Sequence, residues 1–216
     1  MGVVQIDAYV LIIRGKDSLK LIDGLSTNKV EGSCTTVFTT SVAKIIDVVD
    51  VVDKGDFVAL VGHGPYKEAL LESINQRILG QDVTIGDASS SNHVYISTED
   101  IVVPESATKF ESFKGWIIVA PNSTTIEVNM SIEEYDDYRV ENLIPFQGYE
   151  ITPKVHPLAC GLGDLVHEAK GCYIGQEILA RMRSRGKQGK QLVRIANPVD
   201  GATTIGKTHS LAIRRI

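Results

Sequence analysis

Apolar and polar residues alternate along the first half of the chain with the periods of strands and helices. Val3 to Ile13 is rich in β-branched and aliphatic residues and is predicted to form one or two strands. Leu19, Ile22 and Leu25 then recur at helical spacing, which predicts a helix over Asp17 to Leu25. The chain therefore begins with a strand and a short helix in close succession.

The next segment has the pattern of a β-hairpin. Two apolar runs, Ala43 to Val52 and Phe57 to Val61, flank the turn sequence Asp53-Lys54-Gly55-Asp56. A second helix is predicted to begin at Pro65, which suits a first helical turn, and to end at Gly80. Shorter apolar runs predict two more strands, at Thr35 to Thr39 and at Val83 to Ile85.

Strands and helices continue to alternate in the second half. The polar, small-residue segment Asp87 to Asn92 is predicted to be a seam between two folded parts. Ser131 and Glu134 form a capping-box pattern that predicts a helix over Ile132 to Leu143, which Pro145 closes. Further strands are predicted at Val94 to Ile96, Trp116 to Val119, Thr125 to Asn129, Leu192 to Ile195 and Leu211 to Ile213. This alternation indicates an α+β protein.

Composition narrows the class of protein. A chain of 216 residues that is 43% hydrophobic and 23% charged can bury a core of one large or two small domains. The net charge of −5 argues against a dedicated nucleic-acid-binding protein. No apolar run reaches the roughly 18 residues of a membrane helix, and the N-terminal segment lacks the pattern of a signal peptide. We therefore expect a cytoplasmic protein without a membrane partner.

The three cysteines do not form a recognised pattern. Cys34, Cys160 and Cys172 include no CxxC pair, so neither a disulfide framework nor a structural zinc site is indicated. His156 and His167 lie in the same stretch as two of the cysteines, but the spacing matches no standard zinc pattern. We predict no metal site and at least one free thiol.

One of these thiols lies in the most informative stretch of the chain, the octapeptide KGCYIGQE from Lys170 to Glu177. Gly171 and Gly175 allow the backbone to adopt positive φ, and Lys170 would favour the thiolate form of Cys172. The alternative is a buried cysteine in a turn that opens a helix. The residues by themselves leave both interpretations open.

The octapeptide resembles the signature of the folate-binding YgfZ family, which is related to the glycine-cleavage aminomethyltransferases. Gly15 to Val30, Tyr138 to Gly148 and Ala180 to Ile195 are also similar to segments of that family, in the same order. The resemblance covers most of the chain and implies an α+β aminomethyltransferase-like fold of two interleaved α/β lobes.

The resemblance also implies domain boundaries. Residues 1–33 and 92–185 would form the first folate-binding lobe, and residues 34–91 an inserted ferredoxin-like lobe. Residues 186–216 would be a shortened remnant of the family's C-terminal β domain, since only a short stretch follows the octapeptide helix. A remnant of two or three strands needs to pack onto another part of the protein.

The family's pterin-contacting glutamate falls at Glu141. A carboxylate presents two acceptors that match the two parallel N–H donors of a pterin. Without the resemblance, Glu141 and Arg139 would both be interpreted as solvated charges near a helix end. The resemblance further implies that Asn28 and Tyr173 contact folate, and that Arg139 does so too.

A basic run follows the octapeptide, and it offers partners for the carboxylates of a folate tail. Its members are Arg181, Arg183, Arg185, Lys187 and Lys190. Of these, Arg181 and Arg185 are the expected folate contacts. The alternative is a solvated helix end, with Glu177 and Arg181 forming an i,i+4 pair. The octapeptide contributes Lys170, Gly171, Gly175, Gln176 and Glu177 as motif residues.

Asp47 bears on the question of enzymatic activity. The aminomethyltransferases place a catalytic aspartate in the hairpin that corresponds to Ala43 to Val52, so the resemblance makes Asp47 a candidate acid/base. In a strand of alternating character Asp47 would instead be an outward-facing polar residue, which is the interpretation that the residues favour.

The resemblance implies a tetrahydrofolate-binding accessory protein for iron–sulfur cluster assembly or repair, with assembly or client proteins as partners. One alternative is an aminomethyltransferase that moves a one-carbon unit from a lipoyl carrier protein to tetrahydrofolate. A second alternative is an interaction module that has lost folate. Cys172 favours the first function over the transferase, and Glu141 favours both over the module.

Overall fold

The computed structural model describes residues 2–186 and 189–215. The chain forms two compact units, each built from three segments. The first unit contains Met1–Leu21, Val30–Thr35 and Val49–Ile132, and the second contains Ile22–Lys29, Thr36–Val48 and Glu133–Ile216. The three-part division implied by the family resemblance has different boundaries and stays a prediction.

Twelve strands and four α-helices lie within the described residues. The first part of the chain contains β1 (Val3–Ile6), β2 (Ala8–Arg14), α1 (Ser18–Leu25), β3 (Cys34–Thr39), β4 (Ile45–Asp53), β5 (Val58–His63), α2 (Lys67–Asn75) and β6 (Thr84–Asp87). The rest contains β7 (Asn92–Ser97), β8 (Thr108–Ser112), β9 (Gly115–Pro121), α3 (Ile132–Asn142), α4 (Gln176–Ser184), β10 (Lys190–Ala196), β11 (Thr204–Ile205) and β12 (His209–Arg215). The mixture confirms the predicted α+β class. In the described chain no helix combines the length and the apolar character needed to cross a membrane.

Two antiparallel sheets account for the first nine strands. Their strand orders are β1-β7-β9-β8 and β3-β4-β5-β2-β6. The predicted hairpin is confirmed, because Asp53 of β4 lies opposite Val58 of β5. The Asp53 carboxylate accepts a hydrogen bond from the Gly55 N–H at 2.9 Å, which closes the turn.

The segment Asp87 to Asn92, predicted to be a seam, lies inside the first unit. Its backbone is bound to β2, since the Ala88 N–H donates to the Val10 carbonyl at 2.9 Å. The Val10 N–H in turn donates to the Ser89 hydroxyl at 3.0 Å. The polar residues of this segment form hydrogen bonds to β2, and the segment does not mark a boundary between the two compact units.

Two local predictions were wrong, and one strand was not predicted. Residues 125–129 form no strand, because Asn129 binds both backbone groups of Val3, through its side-chain oxygen and its own N–H. Strand β8 was missed, since its TKFES sequence has little β-branched character. Helix α2 ends at Asn75, well before Gly80, and a 3₁₀ turn over Gly64–Tyr66 precedes it.

Clusters of buried apolar residues join the elements of the second unit. One joins α4 to the octapeptide and to the loop after β3, through Ala43, Leu158, Val166, Tyr173 and Leu179. Another joins α3 to the C-terminal sheet, whose strand order is β10-β12-β11, through Val140, Leu192 and Leu211. The C-terminal strands predicted from the sequence are confirmed, and α3 supplies the surface onto which they pack.

Candidate functional site

Gly175 sets the octapeptide against the loop after β3 within the second unit. It precedes α4 and has φ of +84°, as predicted. A Cβ atom at this position would lie 2.8 Å from both the Thr39 Oγ1 and the Thr40 carbonyl oxygen, so only glycine fits. The Thr39 hydroxyl also donates to the Ile174 carbonyl at 2.6 Å. Gly171, which also allows positive φ, does not adopt it.

Lys170 fastens the other end of the octapeptide. Its buried ammonium donates to the carbonyl oxygens of Asp23, Ser26 and Asn28 at 2.6, 2.8 and 2.6 Å. It also forms an ion pair of 3.1 Å with the Asp23 carboxylate. An ammonium has three N–H donors, so these carbonyls account for all of them. Lys170 therefore holds the turn after α1 in place and brings the predicted residue Asn28 next to the octapeptide.

Cys172 and Tyr173 lie between these two anchors and have opposite environments. The Cys172 side chain is exposed, so the interpretation as a buried cysteine was wrong. The Tyr173 ring is buried, and the Lys170 ammonium lies 5.5 Å from its centre. Burial raises the pKa of the Tyr173 hydroxyl above its usual value. The octapeptide thus exposes the Cys172 thiol to solvent, while its neighbours Lys170 and Tyr173 are buried and hold the turn in place.

A cavity of about 350 Å³ lies beside this turn. It is lined by Val166, His167, Glu168, Tyr173, Gln176, Leu179, Ala180, Arg183 and Ser184. Arg183 is fixed by hydrogen bonds of 2.9 Å to the carbonyl oxygens of Val166 and Gly163. The volume is at the lower end of the range of ligand pockets, roughly 300–1,000 Å³. Of these residues, the sequence predicted Tyr173 and Gln176 as site residues and placed Arg183 in the basic run. It did not predict that residues 166–168, just before the octapeptide, line a cavity.

Glu141 lies at the end of α3, in contact with the C-terminal sheet. Its carboxylate forms a 2.9 Å ion pair with Arg194 and accepts a hydrogen bond from the Thr208 hydroxyl at 3.3 Å. The side chain keeps 53% of its surface exposed. The carboxylate is therefore oriented by two partners and still accessible to a ligand.

Arg139, two residues earlier in α3, is fully buried, so its interpretation as a solvated charge was wrong. Its guanidinium lies 3.1 Å from the equally buried Glu150 carboxylate and 2.6 Å from the Asp136 carboxylate. It donates to the Thr204 hydroxyl as well, at 3.1 Å. A folate could reach this guanidinium only by displacing protein partners, and the contacts give Arg139 a structural role between α3 and β11.

Asp47 is also fully buried, which corrects the prediction that it faces outward. Strand β4 is buried on both faces, so alternation along the strand does not expose every second residue. The Asp47 carboxylate accepts hydrogen bonds from the Val48 N–H at 2.8 Å and from the Gln147 side-chain amide at 3.4 Å. Gln147 was not identified from the sequence, although it lies in the segment that resembles the family.

The basic run divides into fixed and exposed members. Arg181 is exposed and pairs with Glu177 at 3.1 Å, which confirms the predicted i,i+4 pair. Arg185 and Lys190 are exposed as well. Lys187 lies outside the described residues. Elsewhere in the part of the chain that the structure describes, no group of three or more His, Cys, Asp or Glu side chains could hold a metal ion.

The three thiols should differ in reactivity toward iodoacetamide. Cys172 is exposed, Cys34 is half-buried, and burial both shields Cys160 and raises its pKa to about 12. We expect Cys172 to be modified first and Cys160 last when native protein is labelled and its peptides are analysed by mass spectrometry. Unfolded protein should label at all three positions. Modification of Cys160 before Cys172 in native protein would contradict the exposure of the octapeptide thiol.

Comparison with proteins of known structure supports the predicted fold. The chain superposes on aminomethyltransferase T of the glycine cleavage system from Bartonella henselae with a TM-score of 0.79. The alignment covers 99% of this chain and 78% of that chain, at 12% sequence identity. No family model and no curated protein matches the sequence. The chain therefore has the fold of aminomethyltransferase T, and at this identity the likeness establishes the fold alone.

Proposed function

We propose that the protein binds tetrahydrofolate or a derivative and acts as an accessory protein in iron–sulfur cluster assembly or repair. Two independent features support folate binding, the likeness of the fold to aminomethyltransferase T and the resemblance of the octapeptide to the YgfZ signature. The iron–sulfur role rests on the octapeptide. Assembly or client proteins are the partners that this role requires.

The observation that carries the proposal is the construction of the octapeptide turn. Lys170 anchors one end, Gly175 fits tightly at the other, and Cys172 between them is exposed. A cysteine that served packing would be buried. Stable clusters generally use four protein ligands, so this single thiol suits contact with a cluster in transit or thiol exchange with a client protein.

Glu141 is the proposed pterin ligand. Its carboxylate is held by Arg194 and Thr208 but remains half exposed, so it can accept the paired N–H donors of a pterin. We assign Asn28 and Tyr173 as further folate contacts, with Arg181 and Arg185 for the carboxylates of the tail. Arg139 acts indirectly in this arrangement, because it stabilises the helix that carries Glu141.

Replacement of Glu141 should weaken folate binding without unfolding the protein. We expect Glu141→Ala to reduce tetrahydrofolate affinity by about 2–3 kcal/mol, because two charge-assisted hydrogen bonds are lost. Isothermal titration calorimetry measures the change. Glu134→Ala removes an exposed carboxylate from the first turn of the same helix and should leave the affinity unchanged. Absence of heat and of thermal stabilisation with wild-type protein would favour the interaction module that has lost folate.

The structure supports binding over one-carbon transfer. A general base has to reach the proton that it removes, whereas Asp47 is fully buried and hydrogen-bonded to Val48 and Gln147. We therefore expect no ammonia release when the protein is mixed with an aminomethyl-lipoyl carrier and tetrahydrofolate. Turnover that Asp47→Asn abolishes while folate affinity persists would establish the transferase instead.

A further inference from the structure

Positive charge is concentrated at one end of this acidic chain. Residues 176–216 contain nine Lys or Arg and two Asp or Glu, a net charge of +7. Because the whole chain has a net charge of −5, the preceding residues carry −12. An asymmetry of this size favours a local surface for anions on a protein that is otherwise acidic.

Part of the positive charge is neutralised within the second unit. Arg194 pairs with Glu141, and Lys207 pairs with Asp137, each at 2.9 Å. Arg183 is half-buried and donates to backbone carbonyls. These three cations therefore have structural partners and do not contribute to an open anion site.

Among the remaining cations, Arg181 pairs with Glu177 and Lys187 lies outside the described residues, whereas Lys190, Arg214 and Arg215 lie at one end of the C-terminal sheet. Lys190 of β10 lies directly opposite Arg215 of β12, and Arg214 lies opposite Gln191. Arg185 follows α4, close to Lys190 along the chain. We call Arg185, Lys190, Arg214 and Arg215 the basic edge, and all four are exposed.

Charge at the basic edge has little internal compensation. Within residues 2–186 and 189–215, Arg185, Lys190 and Arg215 form no ion pair with a carboxylate. Arg214 differs from these three, because its guanidinium donates to the Asp200 carbonyl oxygen. Like charges directly opposite each other destabilise an antiparallel pair of strands. The Lys190–Arg215 pair therefore costs stability in the isolated protein, and a bound anion would offset that cost.

One side of strand β10 has no strand partner in the described chain, although the 3₁₀ turn over Pro157–Cys160 packs against β10. Strand β10 is the outermost strand in the order β10-β12-β11. Its outer side makes no backbone hydrogen bond to another segment of the described chain. Unpaired N–H and C=O groups on an edge strand accept an added strand from a partner. A second copy is disfavoured as that partner, because its own β10 carries the same positive residues.

We propose that the basic edge binds an acidic, extended segment of a partner protein, which adds to the sheet as a strand beside β10. Carboxylates of the segment lie near Lys190 and Arg215, and its backbone pairs with the outer side of β10. Single-stranded nucleic acid fits less well, because β10, β12 and residues 181–186 contain no Phe, Tyr or Trp on which bases stack. This interaction goes beyond the proposed folate binding, and Arg185 is the residue that the two assignments share.

Fluorescence anisotropy with labelled peptides tests both parts of the proposal. The acidic heptapeptide Glu-Val-Glu-Val-Glu-Val-Glu should bind at low salt and should bind more weakly as salt is added. The analogue with proline in place of valine has the same charge but lacks alternate N–H donors, so we expect at least about fivefold weaker binding. The analogue with lysine in place of glutamate should not bind.

Paired substitutions locate the site. Lys190→Glu combined with Arg215→Glu should weaken binding of the acidic peptide by about tenfold or more, because attraction becomes repulsion. The milder pair Lys190→Gln and Arg215→Gln should weaken it by about threefold and keeps the test valid if the reversed charges disturb folding. Lys20→Glu with Lys54→Glu makes the same charge change at exposed positions of the first unit and should have less than about a twofold effect.

Three results would overturn the proposal. Equal binding of the valine and proline peptides would exclude strand addition. Equal losses of peptide affinity in the basic-edge variant and in the Lys20→Glu, Lys54→Glu control would show that binding depends on the net charge of the protein alone. Tighter binding of a single-stranded RNA oligonucleotide with the same number of negative charges would assign the basic edge to nucleic acid.

Discussion

Replacing Arg139 by methionine is expected to lower the free energy of unfolding by about 3–5 kcal/mol, the largest effect of any single substitution considered for this protein. Methionine fills much of the same volume, but it leaves the Glu150 carboxylate buried without its cation. Burial of an uncompensated charge is far more costly than loss of an exposed ion pair. Urea unfolding followed by far-UV circular dichroism measures the difference.

Arg181→Met is the matched control for this substitution. Arg181 also pairs with a glutamate at 3.1 Å, but the two side chains are 61% and 86% exposed. Exposed pairs of this kind contribute about 0–1 kcal/mol, so the control should unfold at nearly the wild-type urea concentration. Addition of Glu150→Gln to Arg139→Met should recover part of the loss, because it removes the unpaired charge. Similar losses for Arg139→Met and Arg181→Met would refute the buried network.

Gly175→Ala should be the most damaging conservative change in the octapeptide. The new methyl group would meet the Thr39 hydroxyl and the Thr40 carbonyl at 2.8 Å and the Ala43 Cα at 3.1 Å. Two of these contacts are with backbone, which cannot rotate away as a flexible side chain can. Left-handed φ adds about 1–2 kcal/mol for an L-residue, and overpacking about 1–3 kcal/mol more. We expect a loss of about 2–5 kcal/mol in unfolding free energy.

Gly171→Ala provides the comparison for Gly175→Ala. It adds the same methyl group to the same octapeptide, but nothing lies within 4 Å of the added atom and the backbone is not left-handed. Its stability should remain within about 0.5 kcal/mol of wild type. If the fold persists in Gly175→Ala, displacement of the turn should also change the labelling rate of Cys172. Equal stability of the two alanine variants would mean that the octapeptide does not pack against the loop after β3.

Short-range patterns predicted much of the secondary structure. The hairpin between β4 and β5 follows from its turn residues, and the extent of α3 follows from its capping box and Pro145. These features depend on backbone preferences within a few residues of one another. The error at residues 125–129 shows the limit of this reasoning, because Asn129 binds the distant residue Val3 in place of a strand partner.

The resemblance of the octapeptide to a family signature predicted a fold that overall sequence identity does not reveal. A sequence identity of 12% with aminomethyltransferase T is too low for sequence comparison alone to reveal a shared fold, yet the two structures superpose with a TM-score of 0.79. Within the octapeptide, a tight contact at Gly175 restricts that position to glycine. The rest of the core requires only apolar residues of suitable volume, which many sequences supply.

The sequence by itself determined the α+β class, the order of most elements and the presence of a thiol in a glycine-flanked turn. Tertiary structure decided which charges have structural roles. Arg139 and Arg181 look alike in the sequence, but only Arg139 is enclosed with Glu150. Lys170 lies two positions from Cys172, yet its ammonium binds the Asn28 carbonyl, 142 positions away. The physical reason is that backbone preference acts locally, whereas burial and ion pairing depend on groups that only packing brings together.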